Sequence, residues 1–84
     1  MDKNEFVRKF ERIHNKYSKS WKVAIVRVTF DGGYTDCMNY KIWGRRVILT
    51  SGFNLAIQEN PKGTEFRTVV RLRKVKTVRK ATVL

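Results

Sequence analysis

The last third of the chain carries the residue types with the clearest chemical meaning. Residues 66–84 hold seven basic side chains and no acidic one. Alternate residues of a β-strand face the same side, so Arg67, Arg71 and Arg73 are predicted to form a row on one face of a strand. A guanidinium stays charged and binds two phosphate oxygens with its planar fork, so the row predicts contacts with a phosphate backbone. Toward the C-terminus the same charge continues in Lys74, Lys76, Arg79 and Lys80.

Basic residues on the outer face of a strand also occur as ordinary solvated positions that protect a sheet edge from aggregation. A solvated surface usually mixes charges of both signs. The absence of acids from residues 66–84 therefore favours a binding surface.

Two further basic groups are candidates for the same kind of contact. Arg8, Arg12 and Lys16 recur at helical spacing, and a solvated helix face explains them equally well. Arg45 and Arg46 follow Trp43 in a predicted turn, for which a simple polar turn is the alternative. Because a base stacks on any exposed ring, Trp43 is the best stacking candidate.

Catalytic and metal-binding patterns are weak. His14 is the single histidine and the one candidate for the general base of a small ribonuclease, but it lies beside Ile13 at the edge of an apolar stripe. Cys37 is the single cysteine, so neither an internal disulfide nor a Cys/His metal cluster can form. We expect no catalytic residue, metal or cofactor.

Length and charge bound the class of protein. The 84 residues, with 42% hydrophobic and 31% charged side chains, indicate one small globular domain over residues 1–84. The formal net charge of +12 predicts an acidic partner. No apolar run approaches the roughly 20 residues of a membrane helix, and no signal peptide is evident. With a single cysteine, we expect a reducing intracellular compartment (cytoplasm, nucleoid or nucleus) and no membrane association.

An amphipathic helix is predicted over about residues 3–17. Phe6, Phe10 and Ile13 recur at three- and four-residue spacing, and Asp2 followed by Glu5 resembles a capping box.

From Trp21 onward, β-branched and aromatic residues alternate with turn signals, so the fold class is α+β. The helix is expected to pack on a five-stranded antiparallel β-meander, which a bend at Ser51-Gly52 would allow to curl into a small open barrel. The strands are predicted over about residues 21–30, 34–43, 46–51, 53–58 and 64–75. Residues 76–84 are expected to form a flexible basic end that orders on a partner.

The turns also predict which residues face one another. A three-residue loop at Asp31-Gly32-Gly33 pairs Val28 with Asp36, Val26 with Met38 and Phe30 with Tyr34, which places Tyr34 in the core. A two-residue turn at Gly44-Arg45 pairs Ile42 with Val47 and Tyr40 with Leu49. A turn at Asn60-Pro61-Lys62-Gly63 pairs Ile57 with Phe66.

These features predict a non-enzymatic nucleic-acid-binding domain that contacts phosphates by charge and shape. About five contacts would give a slope of log K against log[salt] near −4.5 on B-DNA. Duplex or structured DNA or RNA is favoured, because stacking residues are few. The alternative is a small interaction module or inhibitor that docks its basic face on an acidic protein surface or on the nucleic-acid-binding channel of a larger nuclease or ribonucleoprotein. The size of the chain is compatible with a viral or mobile-element protein of this kind. A homodimer formed through an exposed strand edge is compatible with either function.

Overall fold

The computed structural model describes residues 1–51 and 67–83 and confirms the α+β class. The elements in chain order are α1 (Lys3–Ser18), β1 (Ala24–Phe30), β2 (Gly33–Cys37), β3 (Asn39–Trp43), β4 (Arg46–Thr50), β5 (Arg67–Arg71), a 3-10 helix (Leu72–Lys74) and β6 (Val75–Val83). The strand predicted near 53–58 and the turn predicted at 60–63 lie outside the described residues.

Helix α1 begins where the sequence predicts and ends one residue later. Asp2 caps it, because its side chain accepts a hydrogen bond of 2.9 Å from the Glu5 backbone N–H. The Glu5 carboxylate lies 3.6 Å from the Lys9 ammonium, one turn further along. Phe6 and Phe10 are fully buried, so the predicted apolar stripe is the face that joins the core.

The strands form two antiparallel three-stranded sheets, and the predicted five-stranded meander is not observed among the described residues. The first sheet has the order β2-β1-β6 and the second has the order β3-β4-β5. The chain leaves the first sheet at Met38, whose N–H donates a 2.9 Å hydrogen bond to the Thr50 carbonyl. The strand predicted over 34–43 is therefore two strands, and the observed pairing does not close the sheets into a barrel.

The C-terminal segment is the largest correction to the predicted fold. Residues 75–83 form a nine-residue strand paired with β1, not a flexible end. Two register shifts in this pair leave Lys76 and Ala81 without a partner in β1. These irregularities explain why Val75 and Val78, both buried, follow a three-residue spacing that fits neither regular strand nor helix.

The first hairpin is displaced by one residue from its predicted register. Gly33 belongs to β2, so the loop has two residues, and Val26 faces Cys37. A shift of one residue moves every side chain of a strand to the opposite face. Tyr34, predicted in the core, is therefore 59% exposed, and Cys37 is fully buried.

The second hairpin agrees with its predicted register. Ile42 faces Val47 and Tyr40 faces Leu49. Gly44, at the first central position of the turn, has a φ of +60°, which is the left-handed region that favours glycine.

The core lies between the inner faces of the two sheets and the apolar face of α1. Val26 and Val28 of β1 meet Leu49 of the second sheet, and Phe6 and Phe10 cover them. Strand β1 is central in its sheet. It is buried on one face only, because Arg27 on the other face is exposed.

Candidate nucleic-acid interface

The outer face of the second sheet presents a three-by-three array of side chains. Val47, Leu49 and Val70 are buried on the inner face, so the alternate positions of each strand face outward. The strand registers place these outward residues in three rows across β3, β4 and β5. The rows are Trp43-Arg46-Arg71, Lys41-Ile48-Val69 and Asn39-Thr50-Arg67, and we call these nine residues the outer array.

The outer array contains four cations and no acidic residue. Lys41, Arg46, Arg67 and Arg71 are all exposed. Trp43 is 60% exposed, and the Arg46 guanidinium lies 6.0 Å from the centre of its ring. The array therefore combines charges that bind phosphates with an indole ring on which a base can stack.

The acidic residues of the described ranges, 1–51 and 67–83, all have contact partners that do not belong to the outer array. Asp2 caps α1, and Glu5 lies beside Lys9. The remaining contacts are Glu11 with Tyr40 at 2.7 Å, Asp31 with Lys76 at 3.2 Å and Asp36 with Arg27 at 2.8 Å. In this part of the chain, no carboxylate forms an ion pair with a cation of the array.

A cleft of about 720 Å³ adjoins the edge of the array that carries Arg46 and Arg71. Arg45, Arg73 and Lys3 also line it, beside Asp2. We call this feature the arginine cleft. Its walls are joined by the Leu72 N–H, which donates a hydrogen bond of 2.9 Å to the Arg45 carbonyl. The N-terminal amine of Met1 closes the same region, donating to the carbonyls of Leu72 at 3.0 Å and Val75 at 3.3 Å.

The predicted row of Arg67, Arg71 and Arg73 does not continue along one strand. Strand β5 ends at Arg71, and Leu72 turns into the core at the start of the 3-10 helix. Arg73 consequently lines the cleft. The cationic surface extends sideways from Arg71 to Arg46 through strand pairing, instead of lengthwise along β5.

The other predicted basic residues lie on different surfaces. Lys74 is exposed in the 3-10 helix, and its carbonyl accepts a hydrogen bond from the Asp31 N–H. Arg79 lies on the outer face of the first sheet, opposite Arg27. Of the remaining five, Lys76 lies beside Asp31, and the ammonium groups of Lys16 and Lys80 lie near the Tyr17 ring. The last two, Arg8 and Arg12, are exposed on α1.

Lys41 and Lys3 complete the cationic surfaces although the sequence did not single them out as binding residues. Lys41 stands two residues before Trp43, so strand alternation alone would have placed it beside the ring. Lys3 joins the arginine cleft through tertiary packing of the helix start, for which the sequence carries no local signal.

His14 and Cys37, the candidates for catalytic chemistry, both pack against other parts of the fold. The His14 ring packs edge-on against Phe10, with centroids 6.4 Å apart. Cys37 is fully buried, and its Sγ donates to the Val26 carbonyl at 3.5 Å. Burial raises the pKa of this thiol to about 12, with a smaller contribution from Asp36. A buried protonated thiol is a poor nucleophile.

Comparison with protein-family models, curated proteins and solved structures finds no match to this chain. Over residues 1–51 and 67–83, no helix is long and apolar enough to cross a membrane. Within the same ranges, no three His, Cys, Asp or Glu residues are grouped so that they could hold a metal ion.

Proposed function

We propose that this protein is a non-enzymatic nucleic-acid-binding domain that contacts the phosphate backbone through the outer array and the arginine cleft. The observation that carries the proposal is the array itself, in which four cations and an exposed tryptophan share one sheet face without a carboxylate. Charge repulsion within such a face is relieved by a polyanion.

The dimensions of the array suit a backbone that crosses the strands. Neighbouring strands are about 4.8 Å apart and alternate residues about 6.8 Å apart, so the face measures roughly 10 by 14 Å. Arg67 and Arg71 stand at opposite ends of its β5 edge, and Arg46 lies directly across from Arg71. Because these residues lie on paired strands, the backbone that carries them is ordered before the ligand arrives, which reduces the ordering cost of binding.

Cationic side chains outnumber exposed aromatic rings in the outer array, which favours a duplex or a folded strand as the main ligand. Arginine forks bind phosphate oxygens of DNA and RNA equally well, so the proposal includes both nucleic acids.

The experiment compares two double variants that remove equal charge. Arg46→Gln with Arg71→Gln alters the outer array, and Arg12→Gln with Arg79→Gln alters α1 and the first sheet. Binding to a duplex is measured over a range of salt concentrations. The array variant is expected to lower the slope of log K against log[salt] by about 1.8 on B-DNA, since each lost phosphate contact removes about 0.9.

The control double variant is expected to retain most of the wild-type slope. Equal losses in both variants would show that net charge alone attracts the ligand, and the outer array would not be the binding surface. Circular dichroism of both variants checks that the fold is retained.

One observation favours a second candidate function, a module that docks on an acidic protein surface. Val69 at the edge of the middle row of the array is 53% exposed, and Ile48 beside it is half-buried. An apolar centre with a charged rim is the usual anatomy of a protein interface. Weak binding to every nucleic acid at physiological salt, with capture of an acidic protein that Val69→Asp abolishes, would support this function instead.

A further inference from the structure

Trp21 has an unusual backbone conformation and an unusual exposure. Its φ is +57°, and it is the one non-glycine residue in the described ranges with a positive φ. Its side chain is 97% exposed, so the indole packs against almost nothing. A large apolar side chain is rarely left fully exposed on a small domain without a partner.

The conformation is enforced by the way α1 ends. The Trp21 N–H donates to the Ser18 carbonyl at 3.1 Å, and the Lys22 N–H donates to the Tyr17 carbonyl at 3.2 Å. This pattern is a Schellman-type helix ending, in which the left-handed position is usually glycine. Core packing does not explain a tryptophan there, and a strained residue of this kind points to a function.

The helix end that precedes Trp21 is basic and aromatic. The ammonium groups of Lys16 and Lys80 lie 5.5 Å and 5.6 Å from the centre of the Tyr17 ring. Lys19 and Lys22 flank Trp21 in the sequence and are exposed. Cations near a helix C-terminus are favoured by the helix dipole, which accounts for some of the lysines but not for the exposed indole.

We propose that Trp21 is a stacking platform for an unpaired base of a nucleic acid, whose adjacent phosphates are bound by the surrounding lysines. This inference rests on the proposed function, and it names unpaired nucleotides as part of the ligand. An indole can stack on any base, and the nearby ammonium groups match the charge of the strand that carries it.

The position of this second contact sets a minimum length for a ligand that reaches both sites. The arginine cleft includes Lys3 at the start of α1, and Trp21 follows its end. A helix of 16 residues is about 24 Å long. At about 3.4 Å per nucleotide along a strand, a ligand that touches both ends spans about seven nucleotides.

An anionic membrane is the other partner that tryptophan and lysine together would suit. Interfacial membrane binding requires an apolar helix face to enter the lipid. The apolar face of α1 is buried in the core through Phe6 and Phe10, so this helix face is not free to enter lipid, and Trp21 and the partly exposed Val23 are the apolar side chains left beside the helix end. The observations therefore favour nucleic acid.

The chain has two tryptophans, so replacing one of them allows the fluorescence of the other to be measured alone. In Trp43→Phe, Trp21 is the sole indole, and its emission is recorded during titration with a single-stranded oligonucleotide and with a blunt duplex. Stacking predicts quenching by the single strand and little change with the blunt duplex. No quenching at saturating single strand would overturn the inference, as would a response confined to phosphatidylserine vesicles.

A second variant distinguishes a loss of binding from a loss of stability. Trp21→Gly is expected to keep or raise the thermal midpoint, because glycine adopts the left-handed conformation without strain. Its affinity for the single strand should fall about tenfold, the loss expected for one stacked base. Its affinity for the blunt duplex should stay unchanged.

The two proposals fail in different ways. If the Arg46/Arg71 double variant weakens binding and Trp21→Gly does not, the stacking site is wrong and the proposed function stands. If neither change affects binding of any nucleic acid, both proposals are wrong.

Discussion

The backbone N–H of Leu72 donates a hydrogen bond of 2.9 Å to the carbonyl oxygen of Arg45. The bond joins the 3-10 helix after β5 to the turn between β3 and β4. Arg45 and Arg73, which are distant in the sequence, consequently line the same cleft. One main-chain contact thus shapes a cationic surface whose side chains repel one another.

The β3–β4 turn provides a test that changes no charge. Gly44→Ala places a Cβ at a φ of +60°, which costs about 1–2 kcal/mol for an L-residue. Relief of this strain would move Arg45 and Arg46, so we expect lower stability together with weaker nucleic-acid binding. Urea unfolding and duplex binding are the measurements. Unchanged affinity in a destabilised but folded variant would contradict the assigned position of the cleft.

Burial of the aromatic face of α1 predicts a large effect of Phe10. Its ring is fully buried, 4.6 Å from the centre of the Tyr40 ring. Phe10→Ala is expected to lower the free energy of unfolding by about 3–5 kcal/mol. The matched change Val69→Ala, in the outer array, is expected to stay within about 0.5 kcal/mol. Chemical denaturation of both variants checks the contrast.

The exposed ion pair between Arg27 and Asp36 is expected to contribute little to the stability of the fold. The Arg27 guanidinium donates two hydrogen bonds to the carboxylate, at 2.8 and 3.1 Å. The same contacts raise the pKa of Arg27, first through the hydrogen bond and then through charge attraction. We expect Asp36→Asn to destabilise the fold far less than Phe10→Ala, with a difference from wild type that shrinks in 1 M salt. A loss as large as that of Phe10→Ala would contradict this view.

The burial of the Cys37 thiol predicts that the fold loses stability at alkaline pH. Burial raises the pKa of its thiol from the ordinary value of 9.0 to about 12 in the folded chain. The unfolded chain therefore releases this proton first, so the contribution is complete below pH 9 and is lost as the pH rises from 9 to 12. At pH 10, one unit above the unfolded value, the loss is about 1.4 kcal/mol.

The measurement is the stability difference between wild type and Cys37→Ala at pH 7 and pH 10. The variant lacks the cysteine titration and shares that of every lysine and tyrosine, so its deficit relative to wild type should narrow by about 1.4 kcal/mol. A deficit that is the same at both pH values would show that the thiol does not titrate on unfolding.

The candidate site was partly evident in the sequence. Arg71 was identified from strand alternation and charge, and Arg46 and Trp43 from their place at a predicted turn, because these signals depend on neighbouring residues alone. Their assembly into one array depends on the pairing of β4 with β5. Residues 51–66 separate these strands in the sequence, so no local pattern predicts the pairing. The exposure of Trp21 was not predicted, because Trp21 was expected to begin the strand over residues 21–30, whereas β1 begins at Ala24.

The sequence by itself determined the α+β class, the bounds of α1 and the register of the hairpin at Gly44, since local periodicity and turn chemistry specify all three. Only the tertiary structure decided that residues 75–83 form a strand beside β1, that the first hairpin has a two-residue loop, and that Arg73 leaves the strand row for the cleft. These features depend on competition between distant segments for the same buried faces. A shift of one residue or an extra bulge costs little locally, so the packing of the whole core decides between the alternatives.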